Sequence, residues 1–310
     1  MSKKTTSSSG HKLGQLIGDW YEKNIAAVVF ESVAEDLGLY LDHRFKERSC
    51  RGGKILWDDL EGNSVDYDFV IELGGNDSMH GVPIAFFETF WRRGARHSKD
   101  KARDDSGKLL PMRGTYPTAR VLGIVSAGDF TKPAQEYVQS RGIDLFFIPK
   151  DNIVKAWADS GIKIDYLDNA TEEEKAGLVN KAQKELTKKD KEKEIAKNLY
   201  KICGAEVFGS YKERLKAFVS SIPVSYGLTS IYLGEKVQFS DHAQAKNYLS
   251  DFDTGKKINS TELKHKIIYE AIYSDGAMFE REDLNINEAL KLHEEVGRVA
   301  EYFKAILNNK

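Results

Sequence analysis

"VDYDFVIELGG", residues 65–75, and "GVPIAFFETFWRRGARHSKDKARDD", residues 81–105, decide how this chain is read. Both open on apolar runs with strand character, each carries one prominent acid, Asp68 or Glu88, and a strongly basic segment follows at once. The two-residue period of a strand puts Phe86, Glu88 and Phe90 on one side of "PIAFFETFW". Ala85, Phe87, Thr89 and Trp91 then lie on the other. Glu88 thus emerges among aromatics, where an ionised group is costly unless a cation pairs with it. A salt bridge to Arg92 or Arg93 is the plain expectation; a bound metal ion is the chemical one.

Working outward, apolar residues recur at three- and four-residue spacing from Leu13 to Leu37 and stop at Gly38, which predicts one long first helix. "LYLDHRF" (39–45), "KILWDDL" (54–60) and "SVDYDFVIEL" (64–73) read as strands, joined by the "GGND" turn to residues 82–91 in a meander. Residues 96–110 read as a basic helix or loop. "ARVLGIVSAG" (119–128), "TKPAQEYVQSRG" (131–142) and "IDLFFIPK" (143–150) then form a strand, helix and strand, one parallel crossover unit.

The composition changes near residue 168. Thr171 to Glu174 has the capping-box form and opens a highly charged helix. Beyond it, "LTSIYLGEKVQFS" (228–240) reads as a hairpin turning at Gly234. "DHAQAKNYLSDF" (241–252), "STELKHKIIYEAIY" (260–273) and "INEALKLHEEVGRVAEYFKAIL" (286–307) read as helices. The expected division is a flexible tail at 1–12, a core at 13–167, a charged helical connector at 168–203 and a small α+β domain at 204–310.

A chain of 310 residues with 41% apolar content can fill a sizeable core, and a net charge of −2 leaves any polyanion contact to local patches. Cys50 and Cys203 are too few and too far apart for a disulfide framework or a zinc cluster, which suits a reducing cytoplasm. No run approaches the roughly 20 apolar residues of a spanning helix, and the polar N-terminus has no leader pattern, so the expectation is a cytoplasmic protein with no membrane partner. The seven histidines form no H-x-x-x-H pattern, with His43 and His97 isolated. "RGGK" and "LGGND" fall short of a nucleotide-binding fingerprint and read as turns.

Carboxylates on neighbouring strands suit a hard divalent cation. Mg²⁺ takes about six oxygens, one or two of them from carboxylates and the rest from waters and phosphate groups. Arg92, Arg93, Arg96, Lys99, Lys101, Arg103 and Lys108 follow directly, a distribution that fits a phosphodiester, although such a run is also an ordinary solvated face.

These features together resemble the PD-(D/E)XK nucleases, the restriction endonuclease-like superfamily. Its pattern is a helix with an acid, a strand bearing Asp, a turn, a strand bearing Glu-x-Lys, then a further helix and strand. Here Glu22 in "LIGDWYEKN", Asp68 in "VDYDFVIEL" and Glu88 in "IAFFETFW" take the acidic positions, over roughly residues 13 to 158. Phe90 stands where the lysine belongs, and the family tolerates migration of that lysine, for which "RHSKDKARD" offers Lys99 or Lys101. The resemblance implies an α/β fold, a restriction-endonuclease-like core with a mixed central sheet flanked by helices, beside the smaller α+β C-terminal domain.

It further implies a Mg²⁺-dependent endonuclease of restriction or phage defence, with Mn²⁺ as a substitute. Asp68 and Glu88 would be metal ligands, Lys99 or Lys101 would orient water, and Glu22 would act from the first helix. Arg92, Arg93, Arg96 and Arg103 would face double-stranded DNA. A homodimer and a cognate methyltransferase or defence partner go with it. The alternatives are an RNA nuclease of the same fold and an inactive DNA-binding or scaffold protein.

Overall fold

A computed structural model describes residues 8–96, 98–231, 233–253 and 266–308. The first helix begins at Ser8, whose hydroxyl caps the amide of His11, and runs as α1 (Ser9–Tyr21), a π-turn (Glu22–Ala26) and α2 (Ala27–Asp36). Leu13, Ile17, Trp20 and Tyr21 give α1 its buried stripe. The single helix expected over 13–37 is therefore interrupted, and Glu22 opens the wider turn. Gly38 ends the segment with φ +63°, a conformation that glycine adopts without penalty.

Five strands form the central sheet in the order β1 (Tyr40–His43), β4 (Phe69–Leu73), β5 (Val82–Arg92), β6 (Val121–Gly128), β7 (Asp144–Pro149). β1–β4 and β4–β5 are antiparallel; β5–β6 and β6–β7 are parallel. The parallel part follows from the crossovers through α3 (Ser98–Thr115) and α4 (Lys132–Ser140). At the ends of β5 and β6, Gly128 (φ +107°) passes so close to the Arg92 carbonyl that a Cβ would overlap it.

The expected meander is incomplete. "KILWDDL" contributes β2 (Leu56–Asp58), which pairs with β3 (Ser64–Asp66) in a separate hairpin. The run 64–73 consequently breaks at Tyr67 and Asp68, since its first half bonds β2 and its second half bonds β1 and β5.

One face of the sheet is covered by α1, α2, α5 (Lys150–Asp159) and α8 (Ala205–Val219), and α6 (Glu172–Leu186), which follows the Thr171 capping box, and α7 (Lys191–Cys203) pack on these helices from outside. Val179, Ala182, Ile195 and Leu199 carry the charged 168–203 segment into that core. The other face packs Val70, Phe86 and Phe90 against Ala102, Leu109 and Met112 of α3, with Ile55 and Tyr67 beside them.

The C-terminal region is a four-stranded antiparallel sheet, β11 (Met278–Leu284), β10 (Ile267–Tyr273), β8 (Pro223–Ser230) and β9 (Lys236–Phe239). Its core is closed by α9 (His242–Asp253) and α10 (Ile286–Asn308). The helix expected at 260–273 is corrected where the structure describes it: Ile267–Tyr273 is a strand, and 260–265 lie outside the described residues. Ile267, Tyr269, Ala271 and Tyr273 are buried at a period of two, and aromatic and β-branched residues suit that surface. Among the described residues no helix is long and apolar enough to cross a membrane.

Candidate active site

β4 and β5 bring the two acids of the opening stretch together. Phe69 pairs with Phe87, so one further step of the antiparallel register sets Asp68 against Glu88. Val70 and Phe86 point to the α3 side of the sheet and so does Glu88, two residues on; Asp68 lies in the bend just before β4. The Asp68 carboxylate is fastened to the facing strand, its Oδ2 accepting from the Thr89 amide at 2.6 Å and the Thr89 hydroxyl at 3.0 Å.

Glu88 is buried, and Lys108 from α3 donates to its Oε2 at 2.9 Å. Its Oε1 has no hydrogen-bond partner. Burial, reinforced by the negative charges of Asp68 and Asp105, pushes Glu88 up to about 8 against the pull of Lys108. The Lys108 ammonium is itself raised by Glu88, Asp105 and Asp68, which outweigh its desolvation.

Glu22 reaches the same acidic group from the π-turn and is also buried. Arg44 grips it with Nε to Oε1 at 2.7 Å and Nη2 to Oε2 at 2.6 Å, and shares Nη2 with Asp19 at 2.6 Å. Desolvation and the Asp68 charge still push Glu22 up to about 7. The last acid, Asp105 of α3, is fully buried; its Oδ1 accepts from Lys101 at 2.5 Å, and its Oδ2 has no partner. Burial raises its pKa as well.

The two lysines singled out from sequence differ in place. Lys99, in the first turn of α3, is exposed, while the Lys101 ammonium lies 5.5 Å from the centre of the Phe90 ring, over the position where Glu-x-Lys would put its lysine. Lys108 is the lysine that touches Glu88. It was legible only as one more base in the run; its helical phase is the missing signal, since Lys101, Asp105 and Lys108 repeat at i, i+4, i+7 beside the buried Ala102, Leu109 and Met112. Of the arginines, Arg96 and Arg103 are exposed and Arg92 is half-buried. Arg93 is committed elsewhere, bonding Asp168 at 2.8 Å and stacking on Tyr166 at 3.9 Å. His97 lies outside the described residues.

A second acidic group went unnoticed in the sequence. Asp42 on β1, Glu72 on β4 and His80 offer ligand atoms within 4.8 Å of one another, close enough in principle for a divalent metal and, with the helix-flanked mixed sheet, compatible with a nuclease-like site. Two guanidinium groups already fill it. Arg48, with no exposed side-chain surface, bonds Asp42 at 2.7 Å and both oxygens of Glu72 at 2.6 and 2.8 Å; Arg51 bonds both oxygens of Asp42, and the Gly81 amide caps Glu72 at 2.6 Å. Among the described residues no other trio of His, Cys, Asp and Glu converges as tightly, so Asp68 and Glu88 offer a cation a pair of carboxylates rather than a closed cage.

Comparison of the chain with protein-family models, with curated proteins and with solved structures returns no match.

Proposed function

We propose that the chain is a Mg²⁺-dependent endonuclease that hydrolyses phosphodiester bonds of double-stranded DNA, in the manner of a restriction or phage-defence enzyme. The observation that carries this reading is the placing of Asp68, just before β4 and bonded to the Thr89 amide, beside Glu88 of β5, with Lys108 on Glu88. The unpartnered Glu88 Oε1 fits a hard cation, because a buried carboxylate oxygen without a donor is costly until a positive charge meets it. Asp68 and Glu88 would hold the ion, Mg²⁺ or Mn²⁺ in its place. When bound, it supplies Lewis-acid stabilisation of the charge that develops on the phosphate. The order of helix, three strands, helix and strand, with two antiparallel neighbours and then a parallel one, supports the restriction-endonuclease-like reading of the core.

The chain's own groups divide the remaining work. With Asp68 and Glu88 holding the ion, Lys108 would orient the attacking water, the role the resemblance gave to Lys99 or Lys101. Lys101, over Phe90, stands at the phosphate. Arg44 holds Glu22 at the rim of the acidic group, while Arg92, Arg96 and Arg103 meet the DNA backbone. A homodimer would supply two such sites for cutting both strands.

Incubation of the protein with unmodified and modified plasmid or phage DNA and Mg²⁺, followed by sequencing of the ends, tests the proposal. Cleavage lost in Asp68→Ala supports it. Cutting of RNA alone, or DNA binding without cutting in any metal, would replace it with an RNA nuclease or an inactive binding protein.

A further inference from the structure

We infer that Arg281 of β11 is a positioning residue for Lys108, acting through the C-terminal end of α3; the inference rests on the reading in which Lys108 serves hydrolysis beside Asp68 and Glu88. It gives the C-terminal sheet a task in the chemistry of the core.

The second half of α3 is a poor helix by composition. Gly107, Pro111 and Gly114 all fall there, glycine and proline are the weakest helix formers, and Pro111 has no N–H to offer the Gly107 carbonyl. The last carbonyls of any helix also lack an intrahelical donor. Here the donor comes from another region of the chain. Arg281 donates from Nε and Nη2 to the Gly114 carbonyl at 3.2 and 2.6 Å, and from Nη2 to the Thr115 carbonyl as well. Each of its hydrogen bonds among the described residues goes to one of these two oxygens, so the guanidinium is spent on the negative end of the helix dipole.

The chain leaving α3 is held on the same sheet. Tyr273 at the end of β10 donates its hydroxyl to the Pro117 carbonyl at 2.8 Å, and Arg120 lies on the Tyr273 ring and bonds Asp275 at 3.1 Å. Lys108 precedes Gly114 by six residues, about 9 Å along the helix axis, so the clamp and the lysine share the weak half of α3. The Lys108 side chain is 41% exposed and meets Glu88 Oε2 at 2.9 Å. Its own packing therefore fixes it only in part, and its placement depends on the backbone that carries it. A group that orients an attacking water tolerates a displacement of only about 0.5 Å, and a loosened end of α3 would exceed that.

The competing role for Arg281 is to hold the two regions together and no more, and a double-mutant cycle on single-turnover DNA cleavage by the full chain separates the two. Arg281→Met should lower the rate constant at least about tenfold with DNA affinity within about twofold of wild type, and should lower it by less than about twofold when Lys108→Met is already present. Arg281→Lys, which keeps a cation at the helix end, should lose only about threefold. A rate in Arg281→Met like that of wild type, or equal losses with and without Lys108→Met, overturns the inference. Should Arg281→Met not fold, the cycle is run with Arg281→Lys, where the smaller loss should again vanish beside Lys108→Met; no loss, or equal losses, overturns the inference. Asp68→Ala, assayed alongside, marks the other failure: cleavage that survives in it, or a wild-type chain that cuts no DNA, overturns the site reading and this inference with it.

Discussion

Two acid-rich regions lie on the same sheet and meet their charge in opposite ways. Between β1 and β4, Asp42 and Glu72 face Arg48 and Arg51, and each of their four carboxylate oxygens has a donor. Around the start of β4 and the middle of β5, Glu22 from the π-turn, Asp68, Glu88 and Asp105 from α3 face Arg44, Lys101 and Lys108, with Arg44 shared with Asp19, and two buried oxygens go unmet. The first is a closed ion network that fastens the 46–53 and 74–81 loops, Arg48 also bonding the carbonyls of Asn76 and Met79. The second keeps a deficit of positive charge. Acid density alone marks both regions; only the deficit distinguishes a place for a cation.

The largest expected effect is on chemistry. Asp68→Ala and Glu88→Ala should each lower DNA cleavage by at least about a thousandfold, several kcal/mol of transition-state stabilisation, while the protein stays folded and binds DNA in Ca²⁺. His80→Ala, at the rim of the closed network, should leave the cleavage rate within about twofold. Near-full activity in Asp68→Ala would erase the distinction between the two regions.

Stability should respond in the reverse pattern. Arg48→Met takes the bidentate guanidinium from the fully buried Glu72, leaving it the Gly81 amide, and should cost about 3–5 kcal/mol, read as a large fall in the denaturant midpoint. Lys108→Met should change the midpoint little by comparison, since Lys108 is partly exposed.

A subtler contrast appears with pH. Burial holds Glu88 up at about 8 in the folded chain against an ordinary 4.5, so between those limits the folded chain keeps a proton that the unfolded chain has lost. Stability from this group therefore falls as pH rises from about 4.5 to about 8 and levels off above. Glu88→Gln should flatten that slope and be more stable than wild type at pH 8, on the order of 1–2 kcal/mol. A wild-type stability that climbs over the same range, or a mutant no more stable at pH 8, would mean that Lys108 already satisfies the acid.

The smallest effect concerns the exposed bases. Arg96→Ala and Arg103→Ala should each reduce the log-log salt dependence of DNA binding by about one unit, and Arg93→Ala, whose guanidinium is held by Asp168, should not. An unaltered slope in Arg96→Ala and Arg103→Ala would leave that segment an ordinary solvated face.

What could be read in advance follows from how far each signal extends along the chain. Phe86, Glu88 and Phe90 announce their common face through a local period of two, and Thr171 with Glu174 announces a helix start within four residues. The break at Asp68 was hidden because it depends on which strands the two halves of 64–73 pair with. The Asp42–Arg48–Glu72 network was hidden likewise, its partners being joined by sheet register across some 30 residues. Lys108 was visible as a charge but not as the partner of Glu88, since that contact needs the packing of α3 on the sheet. At 260–273 the reading as a helix overlooked the alternation of Ile267, Tyr269, Ala271 and Tyr273, which marks the strand.

A Mn²⁺ titration of the wild-type chain beside Asp68→Ala and His80→Ala tests the contrast between the two acid groups most directly. Binding should be undiminished in His80→Ala and weakened at least about tenfold in Asp68→Ala. Binding that persists in Asp68→Ala and disappears in His80→Ala would place the cation in the arginine-filled network and contradict the account.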